Sequence, residues 1–235
     1  MVNRRMVDPI YLTPTAIIDC DHPQIRKLAV SLTNESANDP VAQAVALYYW
    51  VRDKIRYDPY TPFYKDEHYR ASCVLKNGRG FCVPKASLLC ALGRACKIPS
   101  RVGFATVRNH MATRQLIDML GTDLFSWHGF VEFYLKDRWV KATPTFNIEL
   151  CRKFNVQPLA FNGRDDSIFQ QYNSDQHQFM EYVEFLGVFS DIPVDDILTG
   201  WKTVYGEKRV RQWIDEAEKS DGRATRNFIN EEPVK

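Results

Sequence analysis

From Cys82 to Lys97 the chain reads CVPKASLLCALGRACK, and a helix drawn through this stretch is apolar nearly all round. A helix without a broad polar face lies inside a structure and needs other elements packed around it, so this segment constrains the fold more than any other. Its start is marked by Gly78-Arg79-Gly80-Phe81 and by Pro84 in the first turn, where a missing N–H costs nothing. Ile98-Pro99-Ser100 then turns the chain away.

The elements that surround it follow from periodicity. Upstream, Ile25, Leu28, Ala29 and Leu32 predict a lead-in helix over Gln24–Leu32, and Asn38-Asp39-Pro40 caps a second helix through VAQAVALYYWVRDKIRY. Residues 58–80 carry no defensible period and read as a long loop with a short helical piece near Ser72–Leu75. Downstream, RVGFATVRN alternates as a strand. A second strand runs from Trp127 to Leu135, with His128, Phe130, Glu132 and Tyr134 on one face and Gly129, Val131, Phe133 and Leu135 on the other. A turn near Lys136-Asp137-Arg138 leads to a third strand, Trp139–Thr143. Between the first two strands, residues 108–125 form an amphipathic insertion with Met111, Gln115, Leu116, Met119 and Leu120 at helical spacing, placed to overhang a site. Beyond 150 the pattern predicts a helix around Phe179–Leu186, solvated turns or caps at SDIPVDD and a charged helix over Gly206–Lys219. A central helix followed by an antiparallel meander is an α+β arrangement.

Composition removes several function classes. With 45% hydrophobic and 13% aromatic residues in 235, the chain can bury a full core. Lys plus Arg number 31 against 29 Asp plus Glu, with no basic stripe, so neither nucleic acid nor an anionic membrane is an expected partner. No apolar run approaches the roughly 20 residues of a membrane span, and no apolar core follows the N-terminal Arg pair, so no secretory signal and a cytoplasmic location are expected. Cysteines 20, 73, 82, 90, 96 and 151 include no C-x-x-C pair, which suits a reducing compartment and does not suit a structural zinc site. Asp165-Asp166, Asp191 and Asp195-Asp196 lack the dense alternation of a calcium loop, so no metal is expected, and no cofactor either.

Cys82 is the residue with the strongest chemical argument. Free N–H groups at a helix start stabilise a thiolate and are expected to depress the thiol pKa. Acyl transfer also needs a base, and His128, on a strand and opposite the apolar face, is the best placed of the five histidines. His22, His68, His110 and His177 lie in less regular segments. By chemistry alone, a packed small residue and a satisfied strand histidine remain open readings of the same pair.

The stretches YYWVRDKIRYDP, CVLKNGRGFCVPKASLLCALGRACKIPSRVGFATV and WHGFVEFYLKDRWVKATPTFN together resemble the transglutaminase-like superfamily, over roughly residues 41–147. The resemblance implies a papain-like core, with the cysteine helix packed on an antiparallel sheet and helical N- and C-terminal extensions. It implies Cys82 as nucleophile and His128 as base, and it places the family's third catalytic residue, an Asp in an Asp-Pro-Thr element, on Thr143 of Thr143-Pro144-Thr145. Thr143 can accept a hydrogen bond from the imidazole but brings no charge; with a two-residue hairpin loop, Thr143 and Thr145 share the face of His128. Asn147 is a second candidate to orient the ring. Phe130 stands where relatives carry Trp and keeps an aromatic wall. The oxyanion would be held by the Cys82 N–H and a donor from the 58–80 loop, Asn77 or Tyr57. Trp127 either walls the acyl channel or packs the strand.

The expected organisation is a lead-in at 1–40, a core at 41–149 and a C-terminal extension at 150–235 whose role is unread. The expected activity is that of a cysteine hydrolase or amidase on a peptide, isopeptide or small-amide substrate, through a Cys82 thioester. The competing readings are an amine-accepting acyltransferase, of the transglutaminase or arylamine-acetylating kind, and a non-catalytic binding scaffold motivated by the missing carboxylate.

Overall fold

A computed structural model describes residues 7–110, 112–169, 179–219 and 227–232. Met111 and His177, both considered above, lie outside the described residues.

Two helices come first, α1 (Pro23–Thr33) and α2 (Pro40–Lys54). Asp39 caps α2 by accepting from the Val41 and Ala42 N–H groups, with Pro40 at the first helical position. At the two ends of the 58–80 region, a short pair of parallel strands, β1 (Arg56–Tyr57) and β2 (Arg79–Gly80), brackets α3 (Ala71–Asn77). The pairing fixes the backbone just before the central helix, α4 (Cys82–Ala95). All of α4 except Cys82 and Ala95 is buried. Leu88, Leu89 and Leu92 are among its buried residues, each stabilising the fold by about 1.5–3 kcal/mol. Its two long cationic side chains are bonded to backbone, while the Ser87 hydroxyl has no partner among the described residues. Arg94 donates to the carbonyls of Ser100, Thr13 and Ser190, and the Lys85 ammonium to those of Arg52 and Ile55 at the end of α2.

The sheet is antiparallel in the order β5-β4-β3-β6, built from β3 (Ser100–Asn109), β4 (Leu124–Leu135), β5 (Arg138–Ala142) and β6 (Met180–Phe189). Gly129 and Phe133 of β4 face α4, as the alternation predicted: Phe133 packs on Gly93, and Gly129 on Val83. Leu135 pairs with Arg138 across a two-residue turn in which Lys136 and Asp137 both take positive φ, 48° and 64°. The predicted insertion contains α5 (Arg114–Leu120), capped by Thr113. A further short helix, α6 (Ile148–Lys153), follows β5.

The C-terminal reading needs correction. Residues around Phe179–Leu186 form strand β6, not a helix: the segment is rich in aromatic and β-branched residues that suit a strand, and pairing with β3 over Val102–Asn109 decides its conformation. The SDIPVDD segment opens a helix, α7 (Val194–Tyr205), with Asp195 and Asp196 at its positive end; α8 (Glu207–Lys219) follows, as predicted. The extension therefore completes the sheet and shares one hydrophobic core with residues 41–149. Among the described residues no helix is long and apolar enough to cross a membrane.

One irregularity matters for the site. Ala105 pairs with His128 and Val107 with Phe125, so β4 carries one extra residue, and Trp127 takes a φ of 59°. This bulge immediately precedes His128 and sets the direction in which its ring leaves the strand.

Candidate active site

Cys82 is the first residue of α4, and Gly80 lets the chain reach it: a Cβ there would stand 2.8 Å from the Pro84 Cβ. Gly129 serves the facing strand in the same way, since a Cβ on it would lie 3.0 Å from the Val83 Cα. The strand that carries His128 thus rides directly on the start of the cysteine helix. The Gly129 N–H lies against the Cys82 thiol, and Cys82 and His128 line one cavity together with Tyr57, Phe81, Trp127 and Tyr205.

The electrostatics reverse one expectation. The N–H groups of Gly129, Val83 and Cys82 do pull the thiol pKa down, but burial outweighs them and pushes it up to about 11. Burial also holds His128 down to about 3, with no charged side chain of the described residues acting on it. At neutral pH the two are thiol and neutral imidazole.

Behind the ring, His128 rests on Phe169 at 5.1 Å between centroids, and its Nε2 is buried without a hydrogen-bond partner. Thr143 and Thr145, each 1% exposed, likewise present hydroxyls with no partner in hydrogen-bonding geometry. Tyr182 of β6 brings its own hydroxyl toward Thr143 and Phe169: burial pushes its pKa up to about 12, while the Phe169 N–H, 3.5 Å away, and Thr143 pull it partly back. Buried polar atoms are almost always bonded, and His128 Nε2 and the Thr143 and Thr145 hydroxyls are three of the five side-chain exceptions among the described residues, the others being Ser87 and His110.

The other sequence candidates separate. Tyr57 and Trp127 do line the cavity, Trp127 with its indole also packed on Phe104, Phe189 and Gly200. Asn147 does not orient the imidazole: its amide is committed to the carbonyls of Arg52 and Ile55 and to the Tyr57 N–H. Asn77 ends α3 on an exposed groove with Lys76 and Arg79, away from Cys82, because the left-handed Gly78 turns the chain back at that point. Phe130 stands on the other sheet face, against Gly103 and Phe185, and walls no part of the Cys82 cavity. His22 caps α1, His68 accepts from the Tyr64 and Lys65 N–H groups, and His110 sits beside Glu181.

Sequence reasoning missed Phe169, Tyr182 and the aromatic residues of α7 and α8. Trp201 and Tyr205, four apart on α7, both bond the bulge: Trp201 Nε1 donates to the Ser126 carbonyl at 2.9 Å, and Tyr205 Oη accepts from the Ser126 N–H at 2.8 Å. Their i,i+4 spacing beside Trp213 was the available signal, though nothing local says which strand they would meet. Among the described residues no group of three or more His, Cys, Asp or Glu is placed to hold a metal ion.

A buried helix opening on a cysteine, crossed by a strand that brings a histidine to the same cavity, defines a papain-like α+β architecture. The chain belongs to the transglutaminase-like superfamily, whose profile matches residues 26–144, half of its length. Three solved structures are similar. A candidate cysteine protease from Cytophaga hutchinsonii is 17% identical with a TM-score of 0.50, covering 82% of this chain and 51% of its own. A candidate protease from Parabacteroides distasonis is 16% identical, with a TM-score of 0.37, over 51% of this chain and 23% of that one. The periplasmic domain of TgpA from Pseudomonas aeruginosa, bound to ethylmercury, is 21% identical, with a TM-score of 0.38, over 59% and 49%. The chain therefore spans about half the length of the Cytophaga structure. At these identities the likeness is one of fold. No curated protein matches.

Proposed function

We propose that the protein is a thiol acyl-transfer enzyme, a cysteine hydrolase or amidase for peptide, isopeptide or small-amide substrates, with Cys82 as nucleophile and His128 as base. The observation that carries this reading is the placement of both side chains on one cavity wall, with the Gly129 N–H against the sulfur.

His128 takes the thiol proton as the sulfur attacks the substrate carbonyl carbon, forming the C–S bond. The N–H groups at the start of α4 face the oxygen as it gains charge. Collapse breaks the C–N bond, and the amine leaves with the proton that His128 held. Water then attacks the thioester, His128 accepts its proton, and the acid departs as the thiol is restored. A primary amine in place of water gives amide exchange by the same route.

The elevated thiol pKa and the unpartnered His128 Nε2 favour a second reading, a binding scaffold that keeps the fold without the chemistry. Incubating wild-type protein with peptide p-nitroanilides and activated esters, then quenching in acid for mass spectrometry, separates the two. The enzyme reading expects an acyl group on the Cys82 peptide, absent in Cys82→Ala. Substrate left intact with no acyl adduct favours the scaffold.

A further inference from the structure

We infer that the acyl group accepted by Cys82 carries a large apolar or aromatic side chain and no negative charge, and that the C-terminal helices impose this choice. The inference rests on the proposed use of Cys82 and names the substrate class for that site.

The cavity that holds Cys82 and His128 is lined by Leu116 and Met119 of α5, Trp201 and Tyr205 of α7 and Trp213 of α8. Such walls match an apolar side chain far better than a polar one, whose hydrogen bonds to water they cannot replace. Glu216 is the only formally charged side chain among the described lining residues, and no Lys or Arg accompanies it. A carboxylate entering the cavity therefore meets a like charge and no counter-ion.

The wall is also fixed in place. Trp201 and Tyr205 are bonded to the β4 backbone at Ser126 and Leu124, and Tyr205 and Trp213 stack with centroids 5.6 Å apart. Tyr60, on the same cavity, is held through its hydroxyl by the Glu231 carboxylate of the C-terminal segment, 2.6 Å away. Side chains already ordered in this way lose little entropy when a ligand ring packs among them. All of α7, α8 and the Glu231 segment lie outside the residues matched to the family, 26–144, so this selectivity belongs to the chain's own extension.

The test uses full-length Cys82→Ala protein, which cannot react, and titrates tryptophan fluorescence and indole NMR signals with N-acetyl-phenylalaninamide, N-acetyl-glycinamide and N-acetyl-glutamate α-amide. The expected result is binding of the phenylalanine amide about tenfold or more tighter than either of the others. Trp213→Ala should reduce that ratio about tenfold, Met119→Trp should block the phenylalanine ligand by filling the cavity, and Glu216→Lys should admit the acidic one. Equal affinity for all three ligands, or a ratio unmoved in both Trp213→Ala and Met119→Trp, overturns the inference. Because no chemistry occurs in this protein, that failure is distinct from failure of wild type to form a thioester.

Discussion

Two sets of buried polar groups are built in opposite ways. At the end of α2, Lys85 and Asn147 both donate to the carbonyls of Arg52 and Ile55, Asn147 accepts from Tyr57, and the Asp53 carboxylate takes up the Arg52 guanidinium and the Ile148 N–H. By contrast, His128 Nε2 and the hydroxyls of Thr143 and Thr145 have no partner in hydrogen-bonding geometry among the described residues. The first cluster spends its hydrogen-bonding capacity on holding the fold. The second leaves capacity unused at a cost in stability, and its His128 lines the cavity that holds the Cys82 thiol.

If that contrast is correct, the two clusters fail differently when cut. His128→Ala should lower acyl turnover by about 10²- to 10⁴-fold, the usual contribution of a positioned base, while urea denaturation at neutral pH changes little. Asn147→Ala should do the reverse: it orphans the Tyr57 N–H and removes two bonds to the end of α2, so stability falls by about 3 kcal/mol, read from the same denaturation. Thr143→Asp sharpens the comparison by converting the unsatisfied cluster toward the satisfied kind. A carboxylate at this position, which the family resemblance assigns to the catalytic Asp, is expected to stabilise the imidazolium, raise the His128 pKa and increase turnover at pH 7 by about tenfold or more, with a loss of stability from the added buried charge.

The smallest effect is in the dependence of stability on pH. His128 is held to about 3 in the fold against an ordinary value of 6.5, so between those values the unfolded chain binds a proton that the folded one does not. Stability should fall as pH drops from about 6.5 toward 3, and His128→Leu should remove part of that fall. Cys82, raised from 9.0 to about 11, works at the other end: stability declines as pH rises through that window, because the unfolded thiol ionises first. Thermal denaturation across pH checks both arms.

The sequence carried the frame of this picture further than its chemistry. The apolar run of α4, the alternation in β4 and the two-residue turn before β5 were legible because each is written in local periodicity or turn chemistry. The Cys82 and His128 positions followed from those elements and from the family resemblance. What could not be read is what depends on contacts between distant segments. The polar corner around His128 needs Tyr182 of β6, itself misread as helical because pairing with β3 decides its conformation. The commitment of Asn147 to α2 depends on groups about 90 residues away along the chain. The elevated Cys82 pKa arises because desolvation by the surrounding core exceeds what a helix start supplies, a balance that a one-dimensional pattern does not contain.

Burial holds Cys82 and His128, the proposed nucleophile and base, in their uncharged forms. The most direct measurement is the rate of iodoacetamide reaction at the Cys82 peptide, followed by mass spectrometry from pH 4 to 11.5. The account predicts slow alkylation at pH 7 that rises about tenfold per pH unit toward a midpoint near 11. A fast plateau extending below pH 7, the mark of a preformed thiolate–imidazolium pair, or a midpoint at the ordinary thiol value of 9.0, would contradict it.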